Sequence, residues 1–205
     1  MRILLIGDIH GQHLVHRKRM QRAERNNLPT IQLGDCGFSY GYMKEFDPRI
    51  HRILGGNHDN YPELVKIPHY LGDFGTVFSP KLGFVRGALS IDKDWRVIGT
   101  SWWPEEELSM PRAIEALKWY ESARPEVMLS HDCPREAQAG LSNAAHKKIP
   151  SITSELLSQM FEAWKPKLWV FGHYHERRKF EVGGTTFQAL EEFGTIEVDV
   201  PEEEG

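Results

Sequence analysis

Five short, mostly apolar and partly β-branched runs punctuate the chain: Ile3 to Ile6, Thr30 to Leu33, Ile50 to Leu54, Val127 to Leu129 and Leu168 to Phe171. Runs this brief and this apolar are typical of parallel strands covered on both faces. Between them, hydrophobic spacing and start signals predict a helix from about Gln12 to Asn26 and short helical turns at Tyr42 to Phe46 and Tyr61 to Lys66. A longer helix should follow Pro111 and run to about Ser122, and another should cover Ile152 to Trp164, closed by Pro166. Further runs at Thr76 to Phe78, Gly83 to Val85, Ala88 to Ile91 and Val97 to Thr100 read as antiparallel strands. So do Lys179 to Val182 and Thr185 to Ala189, joined by the hairpin turn Gly183-Gly184, with Thr195 to Val200 as a last strand. Parallel strands early and antiparallel strands later imply two sheets.

Each of the five apolar runs stops at a polar residue beside Gly or Ser. The stops read Gly7-Asp8-Ile9-His10-Gly11, Gly34-Asp35, Gly56-Asn57-His58-Asp59, Ser130-His131-Asp132 and Gly172-His173-Tyr174-His175. In open sheets flanked by helices, ligands gather beyond the carboxyl ends of the strands, so these clusters should meet in one crevice. In extended chain, residues i and i+2 project to the same side, which pairs Asp8 with His10 and His173 with His175. Gly7, Gly34, Gly56 and Gly172 suit tight strand exits and let backbone crowd a metal site. Carboxylate, amide and imidazole donors together suit Mn, Fe or Zn better than Ca or Mg, and no cysteine is needed.

These linked motifs, in this order from Gly7 to His175, resemble the calcineurin-like metallophosphoesterases, whose pattern is Asp-x-His, Gly-Asp, Gly-Asn-His-Asp or Glu, a later His, and Gly-His-x-His. The resemblance implies an α/β sandwich of two facing mixed sheets inside flanking helices, four layers in all. It implies two metal ions, one held by Asp8, His10, Asp35 and His175, the other by Asp35, Asn57, His131 and His173, with Asp35 bridging. Two cations roughly 3.5 to 4 Å apart would generate a bridging hydroxide that attacks phosphorus in line. His58, beside the ligand Asn57 but not needed for coordination, is expected to protonate the leaving oxygen, a task its ordinary pKa suits. Asp59 is expected either to orient that imidazole or to cap the strand exit.

Substrate class is written less plainly. Protein Ser/Thr phosphatases of this superfamily carry an Arg in a longer Gly-Asp motif and another just before Gly-Asn-His-Glu. Here the matching stretches are Gly34-Asp35-Cys36-Gly37-Phe38 and Leu54-Gly55-Gly56-Asn57-His58-Asp59, without the bidentate clamps for a phosphomonoester dianion. A phosphodiesterase on small or cyclic nucleotides is therefore expected, with a nucleotide phosphomonoesterase or dinucleoside polyphosphate hydrolase as the enzyme alternative. A non-catalytic, partner-binding scaffold of the same fold is the reading from another class. Trp102 and Trp103 are candidates to stack a base, set against the commoner role of Trp as packing. Arg177, Arg178 and Lys179 read as a solvated strand entry, the segment 140–150 with Asn143, His146, Lys147 and Lys148 as a lid or connection. His16, His51, His69 and His146 read as surface or satisfied core residues. His13 reads as packing or solvent-facing at the start of a helix.

Composition narrows the setting. The 205 residues, 40% hydrophobic, suffice for one sizeable core and carry no linker or charge block, so a single domain over 1–205 is expected. A net charge of −4 argues against a domain built to hold long nucleic acid. The first ligand-bearing strand begins at the amino terminus, and no apolar stretch is long enough for a bilayer, so a cytoplasmic enzyme is expected. Cys36 and Cys133 should then be reduced packing residues.

Overall fold

The structure, a computed structural model, describes residues 1–142 and 151–201. The amino-terminal strand β1 (Arg2–Ile6) leads through helix α1 (His13–Arg25) to β2 (Thr30–Leu33), then to β3 (His51–Leu54) and the single-turn helix α2 (Tyr61–Leu64). β4 (Phe74–Val77) and β5 (Ser79–Val85) follow, then α3 (Met110–Ala123), β6 (Val127–Ser130), the short α4 (Arg135–Gln138) and α5 (Ile152–Ala163). β7 (Leu168–Phe171), β8 (Arg178–Val182), β9 (Thr185–Ala189) and β10 (Thr195–Asp199) complete the chain.

The strands form a four-stranded sheet, ordered β10-β1-β2-β3, and a six-stranded sheet, ordered β4-β5-β6-β7-β9-β8. In the first, β1, β2 and β3 run parallel and β10 lies antiparallel against β1, pairing Arg2 with Asp199 and Ile6 with Thr195. In the second, β5, β6, β7 and β9 run parallel, flanked by antiparallel β4 and β8. Both sheets are mixed, as expected. Gly83 to Val85, expected in an antiparallel strand, pairs antiparallel only with β4, because the α3 crossover returns the chain parallel to β5 at β6.

Alternation within each strand builds the layers. Ile3 and Leu5 of β1 face the second sheet together with Ile31, Leu33, Val127, Leu129 and Val170. Leu4 and Ile6 point the other way, onto Met20 and Ala23 of α1. On the far side, Met128, Trp169 and Phe171 pack against Ala113, Ala116 and Tyr120 of α3 and Leu157, Met160 and Phe161 of α5. The buried positions on α1 (His16, Met20, Ala23) and α3 (Ala113, Ala116, Tyr120) recur at helical spacing, so one stripe of each helix meets its sheet. Ser151 caps α5, its hydroxyl accepting from the Ser154 N–H at 3.1 Å.

Two expected strands are not strands. Ala88 to Ile91 joins no ladder: Gly87 donates to the Gly55 carbonyl at 2.9 Å and Ala88 to that of Glu106 at 3.2 Å, and a turn begins at Ile91. Val97 to Thr100 closes on itself: the Thr100 and Ser101 N–H groups both donate to the Val97 carbonyl, with Gly99 in the left-handed region. Asn143, His146, Lys147 and Lys148 lie outside the described residues. Cys36 and Cys133 are buried free thiols. Among the described residues, no helix is long and apolar enough to cross a membrane.

Candidate metal centre

Every chemistry-bearing cluster sits just past the carboxyl end of a parallel strand: Asp8 and His10 after β1, Asp35 after β2, Asn57 to Asp59 after β3, His131 after β6, His173 and His175 after β7. The exits of the two sheets face each other, and the clusters converge. Asp8, His10, Asp35 and His175 offer ligand atoms all within 4.8 Å of one another. His175 Nε2 lies 3.0 Å from His10 Nε2 and 3.2 Å from Asp8 Oδ2.

Asp35 looks both ways. Its Oδ2 is 3.7 Å from His10 Nε2, while its Oδ1 is 3.1 Å from His131 Nε2, which in turn lies 3.1 Å from Asn57 Oδ1. His173 stands beside this second group, its ring 5.1 Å from that of His131, and its backbone N–H donates to Asp8 Oδ2 at 3.1 Å. Imidazole and carboxylate this close, converging from separate strands, suit a cation better than each other. The donor set fits the divalent metals that the motifs imply.

Backbone geometry at the site is strained. His10, Asp35, His173 and His175 all adopt positive φ, between 45° and 66°. Such conformations cost on the order of 1 kcal/mol or more each for non-glycine residues and cluster at functional sites. The strand-exit glycines work by bareness. A Cβ on Gly172 would stand 2.2 Å from Asp8 Oδ1, and one on Gly56 2.4 Å from Asp35 Oδ1.

Electrostatics follow burial and proximity. Burial opposes a charge on Asp35, yet His131 against it holds the carboxyl far below the usual carboxylate range. Burial likewise opposes a charge on His131, and Asp35 overrides it, carrying the imidazole up to about 10. His58 is held below its ordinary value by burial and by Arg96, against the pull of Asp35. Its backbone N–H donates to Asp35 Oδ1 at 2.7 Å.

Of the two readings of Asp59, the geometry takes the cap. Its Oδ2 accepts from the Asp35 and Gly56 N–H groups at 2.9 and 2.8 Å, and its Oδ1 from the Gly37 N–H and the Tyr40 hydroxyl at 3.0 and 2.9 Å. The carboxylate thus ties the exit of β2 to that of β3. Trp103 is buried, its ring 5.1 Å from and edge-on to that of Phe38, and Trp102 is half-buried with Glu106 against its indole. Trp103 thus takes the packing role weighed for the pair, and the ring it braces, Phe38, is 42% exposed.

Three contributors lie outside every motif. Ser90 accepts from Asn57 Nδ2 at 3.1 Å and donates to buried Glu106 at 2.5 Å, which turns Asn57 Oδ1 toward His131. Arg96 sets its guanidinium against His58 Nε2, donates to the Asn57 carbonyl at 3.3 Å and pairs with Asp92 at 2.7 Å. Glu192 Oε1 lies 3.4 Å from His175 Nδ1 and 3.6 Å from His10 Nε2. Only Glu192, on the loop between β9 and β10, could have been suspected from its acidity, and nothing in its spacing marks it.

His16, His51 and His69 are core residues. His16 Nδ1 meets the Tyr42 hydroxyl at 2.7 Å, His51 Nδ1 the Thr30 hydroxyl at 2.9 Å, and His69 Nε2 the Phe46 carbonyl at 3.0 Å. His13 stacks on Tyr42 with ring centroids 4.5 Å apart.

Among solved structures, the chain is similar to GAP50, the anchor in the inner membrane complex of Plasmodium, at 12% identity and a TM-score of 0.53, over 93% of this chain and 71% of that one. It is also similar to the phosphopantetheinyl hydrolase PptH of Mycobacterium tuberculosis at 16% identity and a TM-score of 0.46, over 93% of this chain and 89% of that one. No curated protein matches the sequence significantly. The family profile described as calcineurin-like phosphoesterase matches residues 1–177, which hold every ligand cluster above, and the chain belongs to that family of metal-dependent phosphoester hydrolases.

Proposed function

We propose that the chain hydrolyses phosphodiesters of small nucleotides or cyclic nucleotides at a centre of two metal ions. The observation that carries this is the placement of Asp35, one oxygen toward the His10 and His175 group and the other toward His131 and Asn57. Asp8, His10, Asp35 and His175 would hold one ion, and Asp35, Asn57, His131 and His173 the other, Mn, Fe or Zn being the metals these donors suit. When bound, such ions make water nucleophilic near neutral pH and neutralise charge that builds on phosphoryl oxygens.

The remaining work falls to the protein. His58 is the general acid for the leaving oxygen. A guanidinium only donates, so against Arg96 the His58 Nε2 is an acceptor and the ring hydrogen sits on Nδ1. Proton delivery from Nε2 therefore requires Arg96 to withdraw and the imidazole to take up a proton from solvent at Nε2, so that the ring is an imidazolium when the leaving oxygen occupies that place. The freed guanidinium would keep its ion pair with Asp92.

The motif arginines of the protein phosphatases are missing here, which supports a diester over a protein phosphomonoester. The substrate is proposed to be small and nucleotide-like, and the setting cytoplasmic. Protein loaded with Mn and given bis(p-nitrophenyl) phosphate and p-nitrophenyl phosphate should turn over the diester faster. Faster monoester turnover would move the reading to a nucleotide phosphatase. With metals bound, no turnover of either would favour the partner-binding scaffold.

A further inference from the structure

Beside the metal centre lies a cleft of about 210 Å³ lined by His10, Gly11, Gly37, Phe38 and His58. We infer that this cleft is a subsite for a planar aromatic ring on the organic part of the substrate, with the Phe38 phenyl as its stacking face. The inference rests on the phosphoester reading above and assigns where the ring of such a substrate goes.

The walls are few and of one kind. His10 and His58 stand edge-to-face at 4.9 Å, and both belong to the reacting centre, so the cleft opens directly onto it. Gly37 and Gly11 supply bare backbone. A Cβ on Gly37, at φ 116°, would come within 2.8 Å of the Gly11 nitrogen, so no side chain can narrow the cleft there. Gly37 is itself fixed by its N–H bond to Asp59 Oδ1 at 3.0 Å. The remaining wall is Phe38.

An exposed phenylalanine is unremarkable alone. This one is braced: its ring meets that of buried Trp103 at 5.1 Å and 63°, and Trp103 belongs to the core beneath α1 with Tyr40 and Tyr42. A ring held edge-on from behind keeps its free face in place and loses little freedom when a ligand lies on it. The lining carries apolar and imidazole surface with no carboxylate, ammonium or guanidinium among its residues, which suits a ring better than a second phosphate. The volume exceeds the roughly 150 Å³ known to admit benzene. A nucleobase or an aryl ester fits this description, its phosphate lying toward His10 and His58.

The test uses Mn-loaded protein and two probes that share a phosphate but differ by a ring, adenosine 5′-monophosphate and inorganic phosphate. Their binding is measured by calorimetry for the natural chain, Phe38→Ala and Phe38→Trp. The natural chain should prefer the nucleotide. Phe38→Ala should weaken nucleotide binding about tenfold, within the range of base–aromatic stacking, while inorganic phosphate binds as before. Phe38→Trp should retain the preference, and its added indole fluorescence should be quenched by the nucleotide but not by phosphate. An unchanged ratio of the two affinities in Phe38→Ala would overturn the subsite, even if the chain hydrolyses diesters. Conversely, absence of diester turnover with a ring preference that Phe38→Ala abolishes would sink the catalytic reading and leave the subsite standing.

Discussion

The placement of His58 separates chemistry from coordination. Its imidazole touches Arg96, and its backbone N–H, not its ring, touches Asp35. Replacing His58 with Ala should therefore slow diester hydrolysis by about 10²- to 10⁴-fold with Mn content unchanged, as elemental analysis of the purified variant would show. Loss of metal would instead make His58 a ligand. Glu192 argues the other way, since its carboxylate meets His175 at Nδ1 while His175 Nε2 faces Asp8. A carboxylate behind a ligating imidazole fixes tautomer and orientation, so Glu192→Gln should weaken Mn binding about tenfold in competition with a chelator. At this scale the clustered donors were legible because each lies in a short motif beside a strand. Glu192, Ser90 and Arg96 were not, because loops decided by tertiary packing bring them in and no local spacing announces them. Asp59 was legible as important but open as to role, and its carboxylate accepts from four donors at the two strand exits.

Strand exits, more than strands, set the precision of the centre. Asp35, Gly56 and Asp59 interlock where β2 and β3 end, with the Gly56 N–H on Asp59 Oδ2 at 2.8 Å and a would-be Cβ at Gly56 only 2.5 Å from the Asp35 nitrogen. Gly56→Ala must push the two exits apart. It should lower stability by about 1–3 kcal/mol in urea unfolding and also reduce bound Mn per chain. Gly41→Ala, at a glycine with open space around it, is the control and should do neither. The five strands that end at the motifs and the long helices were readable from periodicity to within a residue or two, since burial on both faces leaves an unbroken apolar signature, whereas β5 was read four residues short at its start. Ala88 to Ile91 carried a similar signature for another reason: it is buried at Ala88 and Ser90, while the Ala88 N–H donates to the Glu106 carbonyl and the Ser90 N–H to the Glu106 carboxylate. Hydropathy reports burial and is silent on hydrogen-bond partners.

Over the whole molecule, the family match ends at residue 177, yet β9 lies inside the second sheet and β10 covers the edge of β1. Residues 178–200 are thus integral to both sheets. Buried titrating groups add a global pH dependence. Burial lowers His16 from 6.5 to about 3, assisted by the neighbouring histidines. The unfolded chain takes up that proton first as pH falls, so this contribution is fully present above about pH 6.5 and declines toward pH 3. It amounts to on the order of 5 kcal/mol across that window. Urea unfolding at pH 7 and pH 4 should show a large loss for the natural chain and a clearly smaller one for His16→Leu, whatever their relative stability at pH 7.

The pairing of β1 with β10 also bears on synthesis. Met1 and Val200 exchange backbone hydrogen bonds of 2.8 Å in both directions across 199 positions of sequence. On the ribosome, the strand that delivers Asp8 therefore waits with one edge bare until β10 has emerged. A bare edge is a template for a neighbouring nascent chain. Translation arrested ahead of residue 195 should leave polysomes prone to cross-chain association, and release of the last strand should end it.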